Sequence, residues 1–288
     1  MKRLAHAFAL MVLMSAQLHA QEAEGPVGFE IGGLPAINFD SDEGFGYGAL
    51  VHMYEYGEGG MAPYVWTLQP TVFLTTQGRR DLYAFFDSPH LLPDGWRIGG
   101  FLGYERQIAS PYYGVGNETV YDEELDREDG ASPYFYRFGR TRSSGRVTLQ
   151  RSVGGLPIRV LLGGGVERTD VDPVPKDTGT TLFETEYGGE PTRVWSNFIR
   201  GGLVWDTRDR ESWTTSGTWT EALVWWVDDA LGADYSALRW TVTDRRYLRL
   251  GRRLVFAHRI AVQSVGEEAP VQELFRLQTS FRQQEGLG

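Results

Sequence analysis

From residue 33 to residue 266 the chain alternates apolar and polar side chains in stretch after stretch, yet nowhere does it run to about twenty consecutive apolar residues. Alternation with a period of two marks a strand with one greasy and one wet face. It is cleanest from Tyr64, where Tyr64, Trp66, Leu68, Val72 and Leu74 share one face and Thr67, Gln69, Thr71 and Thr75 share the other. Leu238, Trp240 and Val242 likewise back onto Arg239, Thr241, Thr243 and Arg245. A bilayer admits only helices or closed barrels, because every backbone N–H and C=O must find a partner without water. With transmembrane helices excluded, the pattern predicts an all-β fold, an antiparallel transmembrane β-barrel with an apolar outside and a polar lumen.

The chain opens as an exported protein does. Met1-Lys2-Arg3 is followed by an apolar run from Ala7 to Met14 and a small-residue exit at Leu18-His19-Ala20, the layout of a secretory signal peptide cleaved after Ala20. Residues 1–20 are therefore read as signal peptide, 21–32 as a short polar leader and 33–288 as barrel. There is no cysteine, which excludes disulfides and thiolate metal sites. A net charge of −10 leaves no electrostatic footprint for nucleic acid. The 36 glycines and 13% aromatic residues suit a barrel with many turns and ring-bearing interfaces, although a soluble sandwich has a similar composition.

Eleven strands are predicted, over 35–42, 45–56, 64–75, 81–88, 96–108, 134–153, 158–170, 193–205, 218–229, 235–250 and 254–265. The two longest connections, 109–133 and 171–192, follow the fifth and seventh strands. Even-numbered strands end in short turns at 57–60, 92–95, 154–157 and 251–253. The connection 109–133 carries the acidic run Asp122-Glu123-Glu124 and reads as a solvated loop with little to pack. Long extracellular loops and short periplasmic turns follow if the first strand rises from the periplasm. Eleven strands cannot close a bacterial barrel, which takes an even number, so the sequence is read as lacking its last strands.

The sharpest local motif is GLVWDTRDRESWTTSGTW, from Gly202 to Trp219, in which a strand ends in Asp206-Thr207-Arg208-Asp209 and Gly217 opens the next. It is similar to the periplasmic-turn motif of the BamA/TamA family, the bacterial surface antigen type of outer-membrane barrel. Ile37 to Gly57 resembles the first hairpin of members without periplasmic domains, and Glu105 to Thr119 a later strand and loop. The closing Glu285-Gly286-Leu287-Gly288 resembles the approach to the family's inward-folded sixth extracellular loop, whose R-G-F/Y signature would follow Gly288. The resemblance implies a member lacking POTRA domains, with about 11 of 16 strands present and the sequence stopping in that loop. It also implies a bacterial outer-membrane location and a role in outer-membrane protein insertion or translocation, with the first strand, 35–42, as one partner of a seam to which a nascent strand is added. A passive pore or a structural surface antigen is the alternative.

No enzyme is implied. The histidines beyond the signal peptide, His52, His90 and His258, have no metal-ligand spacing, and Ser88 beside His90 has no evident third group to orient a base. Neither a metal nor another cofactor is called for. Asp206, Arg208, Asp209 and Gly217 are the candidate turn residues, pinning the barrel rim through charge-assisted hydrogen bonds. Arg97, Glu105, Arg159, Glu167, Arg200, Arg239, Arg245 and Arg259 fall on the polar face and are the candidate lumen charges; six are basic, which suits an acidic inserted loop or an anionic partner. The expected partners are outer-membrane lipid and nascent outer-membrane proteins, around a barrel that is monomeric at full length.

Overall fold

The computed structural model describes residues 26–126, 132–174, 179–211, 213–274 and 276. Residues 1–20, expected to be a signal peptide, residues 21–25 of the expected leader and Glu285 to Gly288 lie outside the described residues. Among the described residues twelve strands form one sheet: β1 (Phe29–Asp40), β2 (Gly44–Glu55), β3 (Trp66–Thr75), β4 (Arg80–Ser88), β5 (Trp96–Pro111), β6 (Arg137–Ser152), β7 (Ile158–Asp172), β8 (Thr192–Trp195), β9 (Phe198–Asp206), β10 (Gly217–Val227), β11 (Ala237–Arg249) and β12 (Val255–Val265). Every pairing is antiparallel, and strands that follow in sequence lie side by side, with one exception. β8 and β9 both pair with β7, Arg168 opposite Trp195 and Gly165 opposite Phe198, without a change of register.

These two strands are thus a single crossing, the one expected over 193–205, interrupted at Ser196 and Asn197. The ladder survives the interruption by substitution. Ser196 N–H donates to the Glu167 carbonyl, and the Asn197 side-chain oxygen accepts from Glu167 N–H where a backbone carbonyl would otherwise stand. Asn197 Nδ2 then donates to the carbonyls of Leu231 and Gly232, tying the sheet to the β10–β11 connection.

The first strand starts at Phe29 and not at Pro35, so it takes in the end of the segment assigned to the leader. Gly28 fixes that start: its N–H donates to the Gly57 carbonyl and its own carbonyl accepts from Tyr56 N–H. The Tyr56-to-Gly28 bond makes position 28 a bonded one, and bonded positions alternate with non-bonded ones in an antiparallel ladder, so even-numbered residues of β1 bond to β2 and odd-numbered residues turn their N–H and C=O to the other side. Pro35, opposite Ala49, is odd. Its missing donor costs the β1–β2 ladder nothing, which is where proline is tolerated in a sheet. Among the described residues β1 pairs only with β2, and β12 only with β11.

The two faces are the reverse of a soluble sheet. Leu102, Val147, Leu162, Val166, Leu203, Leu238 and Val242 are exposed on the outer face, while Arg97, Glu105, Arg142, Glu167, Arg200, Glu221, Arg239, Thr241 and Thr243 are buried on the inner face. Water would not stabilise that arrangement, whereas hydrocarbon outside and a polar interior do. The glycine run Gly163-Gly164-Gly165 in β7 has a packing reason. A Cβ at Gly165 would meet the Phe198 ring, and one at Gly163 would press on Arg200 Nε, so bare backbone lets both side chains lie flat across β7.

The long connections do more than was expected of them. Tyr112, Phe138, Val171, Phe183 and Val271 form a buried apolar cluster at one end of the sheet, with Leu182 and Leu274 against it. Phe183 is carried on α1 (Leu182–Tyr187), whose first turn is closed by a capping box: Thr181 accepts from Glu184 N–H, and Glu184 accepts from Thr181 N–H. The reading of 109–133 as a loop with little to pack is corrected here. Tyr136 stacks near Tyr113 and Tyr121, ring centroids 5.2 and 5.3 Å away, and its hydroxyl accepts from Asp122 N–H. After β12 the chain folds against the inner face as α2 (Val271–Leu274), burying Val271, Gln272 and Glu273.

Candidate functional site: ion networks on the inner face

Two charge networks occupy the inner face, one at each end. At the end of the short turns, Arg97 on β5 grips Asp87 on β4 through two bonds of 2.8 and 2.7 Å, and reaches both oxygens of Glu211 at 2.8 and 2.9 Å. Glu211 belongs to the 207–216 turn, so that turn folds back over the rim. Arg159 on β7 meets Glu211 at 3.5 Å and pairs with Asp206. Asp206 also receives Arg208 through Nε and Nη2, both at 2.8 Å.

Asp209 organises the far side of the same turn by accepting from Thr215 N–H at 2.9 Å, from the Thr215 hydroxyl and from Ser216 N–H. Those hydrogen bonds, the Thr215 hydroxyl first, hold its carboxyl well below the usual carboxylate range. For Arg208, burial alone would ease deprotonation, but the Asp206 carboxylate outweighs it and holds the guanidinium charged. Gly217 closes the turn at φ 107°, a conformation L side chains rarely adopt, and a Cβ there would collide with the Thr207 carbonyl. Trp219 lies beneath, with the guanidinium of Arg245 4.5 Å and that of Arg208 6.0 Å from its ring centre.

At the other end the network is more deeply buried. Glu105 accepts from Arg140 and from the Tyr83 hydroxyl at 2.9 Å. Glu167 takes Arg276 and lies 3.4 Å from Arg142. Glu273 on α2, only 2% exposed, faces three guanidiniums: Arg276 at 2.9 Å, Arg239 at 3.1 Å and Arg142 at 3.4 Å. Burial pushes its pKa up, but the charges of Arg276, Arg142 and Arg239 overcome that and bring it down to about 2. Between the networks, Arg146 lies over Phe101 at 5.2 Å, and Arg200 bonds Thr148 and lies over Trp225 at 5.8 Å. Arg259 on β12 is exposed and stands opposite Arg245. A cavity of about 380 Å³ remains beside the deeper network, lined by Gln69, Tyr83, Phe101, Glu105 and Arg142 among others.

The structure thus gathers Arg97, Arg159, Asp206 and Arg208 into one network and places Glu105 and Glu167 with the other, joined there by Arg239. Asp209 and Gly217 shape the turn. Arg200, Arg245 and Arg259 stand outside both carboxylate clusters. Sequence reasoning missed Asp87, Arg140, Arg142, Glu211, Glu273 and Arg276. Arg140, Arg142 and Arg146 carried a readable signal, since they recur at even positions of one strand. Glu211 and Glu273 carried none, because they sit in connections without periodicity. The arrangement binds segments by charge, and Ser88 and His90 do not form a nucleophile–base pair among the described residues. The Ser88 hydroxyl donates to the Val65 carbonyl at 2.6 Å while His90 Nε2 contacts the Ala62 carbonyl at 3.2 Å.

A sheet of consecutive antiparallel crossings, apolar outside and ionic within, with long connections at one end and short turns at the other, defines the wall of an outer-membrane type of β-barrel. The family model that matches the sequence, over residues 72–281, is the Omp85 superfamily domain, and the chain belongs to that superfamily. Its location is accordingly the outer membrane. Among solved structures the chain is similar to the crystal structure of BamA from Haemophilus ducreyi lacking POTRA domains 1-3, with 14% sequence identity and a TM-score of 0.49. That match covers 83% of this chain and 41% of the other, so the chain spans about two-fifths of that relative's length. No curated protein matches the sequence.

Proposed function

We propose that this chain forms the N-terminal part of an exported outer-membrane barrel that helps other outer-membrane proteins insert into, or cross, the membrane. The observation that carries this reading is the free side of β1. Phe29, Ile31, Gly33, Ile37 and Phe39 turn N–H and C=O away from β2, in a row interrupted only at Pro35. An incoming strand can add to such a row by β-augmentation, with main-chain hydrogen bonds supplying the affinity. Support against a passive pore comes from the inner face, where α2 and its ion network occupy space that a conducting channel would leave to water. The machinery is non-enzymatic in this reading: binding and edge pairing do the work.

Proline substitution separates the edge from the fold. Ile37→Pro removes a donor from the free side only, whereas Ala36→Pro removes one that serves β2. The proposal expects the full-length Ile37→Pro protein to fold, by heat-modifiable mobility on a gel, and to fail in assembling a client barrel into proteoliposomes. Client assembly at the unmodified rate by well-folded Ile37→Pro protein would refute it.

A further inference from the structure

The outer face carries a feature that lipid contact alone does not explain. Along β5 the outward residues run Trp96, Ile98, Gly100, Leu102, Tyr104 and then Arg106; along β7 they run Ile158, Val160, Leu162, Gly164, Val166 and then Arg168. In both strands a guanidinium follows ten residues after the first apolar position. At about 3.4 Å per residue and a tilt of about 40° that is roughly 26 Å of membrane depth, against an apolar band of about 25 Å. Both arginines therefore stand where hydrocarbon gives way to headgroups, at the end bearing the long connections.

They are not alone there. Arg80 on β4 is the direct cross-strand partner of Arg106, and both are exposed. Thr141 on β6 flanks Arg106 on its other side, and Ser143 lies between Tyr104 and Arg168. Asp170 is the acid of the group, and it bonds Arg168 at 2.8 Å and Arg193 at 2.8 Å. Arg80 and Arg106 have no carboxylate partner among the described residues. Like charges directly opposite each other in a sheet are destabilising, so this pair is held together at a cost that an external anion would remove. A cavity of about 570 Å³ opens at the same rim, lined by Gln77, Arg106, Thr141, Asp170 and Arg193 among others.

We propose that Arg80 and Arg106, with Thr141, form a binding site for the phosphate of a lipid headgroup in the outer leaflet. Paired guanidiniums present parallel N–H donors that match phosphate oxygens, and a hydroxyl completes a third contact. The site faces the lipid side of the wall, at headgroup depth, so its ligand is membrane-borne. The site is independent of whether the barrel inserts client proteins, because it lies on the opposite face from both ion networks and at least three strands from β1.

The test uses the full-length protein folded in zwitterionic detergent micelles, with fluorescent bisphosphorylated lipid A, its dephosphorylated form and inorganic phosphate as probes. Lipid A is expected to bind at least tenfold more tightly than the dephosphorylated form. The double variant Arg80→Gln/Arg106→Gln is expected to lose roughly tenfold to hundredfold in affinity, up to about one tenfold step for each of two exposed ionic contacts. Folding of that variant is checked by gel mobility, and Arg80→Lys/Arg106→Lys, which keeps the charge, is expected to recover part of the affinity. Arg151→Gln, which removes a cation stacked 5.3 Å from Trp96 at the opposite rim, is expected to change nothing. Undiminished binding by the double glutamine variant, or an equal loss in Arg151→Gln, would overturn the site. Binding of inorganic phosphate as tight as that of lipid A would overturn the assignment to lipid.

Discussion

Replacing Glu273 by glutamine removes the one acid that α2 contributes to three buried guanidiniums. Arg142 and Arg276 keep Glu167, but Arg239 loses its carboxylate at 3.1 Å while staying 5% exposed. Breaking a buried ion pair by deleting one partner costs about 3–5 kcal/mol, because the remaining charge stays desolvated. The cost falls on the docked state of α2 alone, since an undocked α2 leaves every group to water. Its undocked population is therefore expected to rise by about a hundred- to a few-thousand-fold. Gln272 is 5% exposed and adjacent, so a Gln272→Cys thiol reports undocking directly through its labelling rate with a water-soluble maleimide, with and without Glu273→Gln. Labelling rates within threefold of each other would show that the ion cluster does not hold the segment. The pH dependence provides a second check. A carboxylate with a pKa lowered to about 2 contributes stability that is fully present above its ordinary value near 4.3 and is lost as pH falls toward 2. Labelling in the Glu273 background, divided by the rate of a freely exposed thiol at the same pH, should stay slow at pH 5 and rise as pH falls from about 4 toward 2; a normalised rise centred between pH 5 and 6 would contradict the assignment.

Three further outcomes are expected. Glu211→Gln should cost about 2 kcal/mol in urea unfolding, because Arg97 and Arg159 both lose an ionic contact across 207–216, and the loss should shrink when Arg97→Gln is already present. Gly217→Ala should destabilise by more than 1 kcal/mol, since both the positive φ and the Thr207 carbonyl oppose a Cβ; a higher melting temperature would contradict this. Asp209, with its pKa lowered by hydrogen bonds from Thr215 and Ser216, should lend the turn stability at neutral pH that disappears as pH falls below the ordinary carboxylate range. The protection of the Thr215 and Ser216 amides, their exchange relative to that of an unstructured peptide at the same pH, should fall over that interval, and Asp209→Asn should abolish that fall.

What could be read from the sequence was everything with a period of two. The outward runs of β5 and β7 and the inward positions of Arg97, Glu105 and Arg239 follow from alternation, because a strand sends successive side chains to opposite faces. Loop length sorted by strand parity gave the two ends of the wall, and the turn from Asp206 to Gly217 announced itself by residue type. Edges and interruptions were less legible: the first strand was expected to begin at Pro35, and only the ladder parity set at Gly28 shows that strand pairing runs back to Phe29 and that the Pro35 nitrogen faces away from β2. The split of β8 from β9 depends on Asn197 substituting for backbone, a role that its residue type alone does not declare. Partner choice was the least legible of all. Glu211 meets Arg97 across 114 positions of chain and Glu273 meets Arg142 across 131. Such separations are closed only by the curvature and register of the whole sheet. The sequence by itself determined which side chains turn inward; tertiary structure decided which of them neutralise one another, because ion pairing acts over a few ångströms and those ångströms exist only once the wall is built.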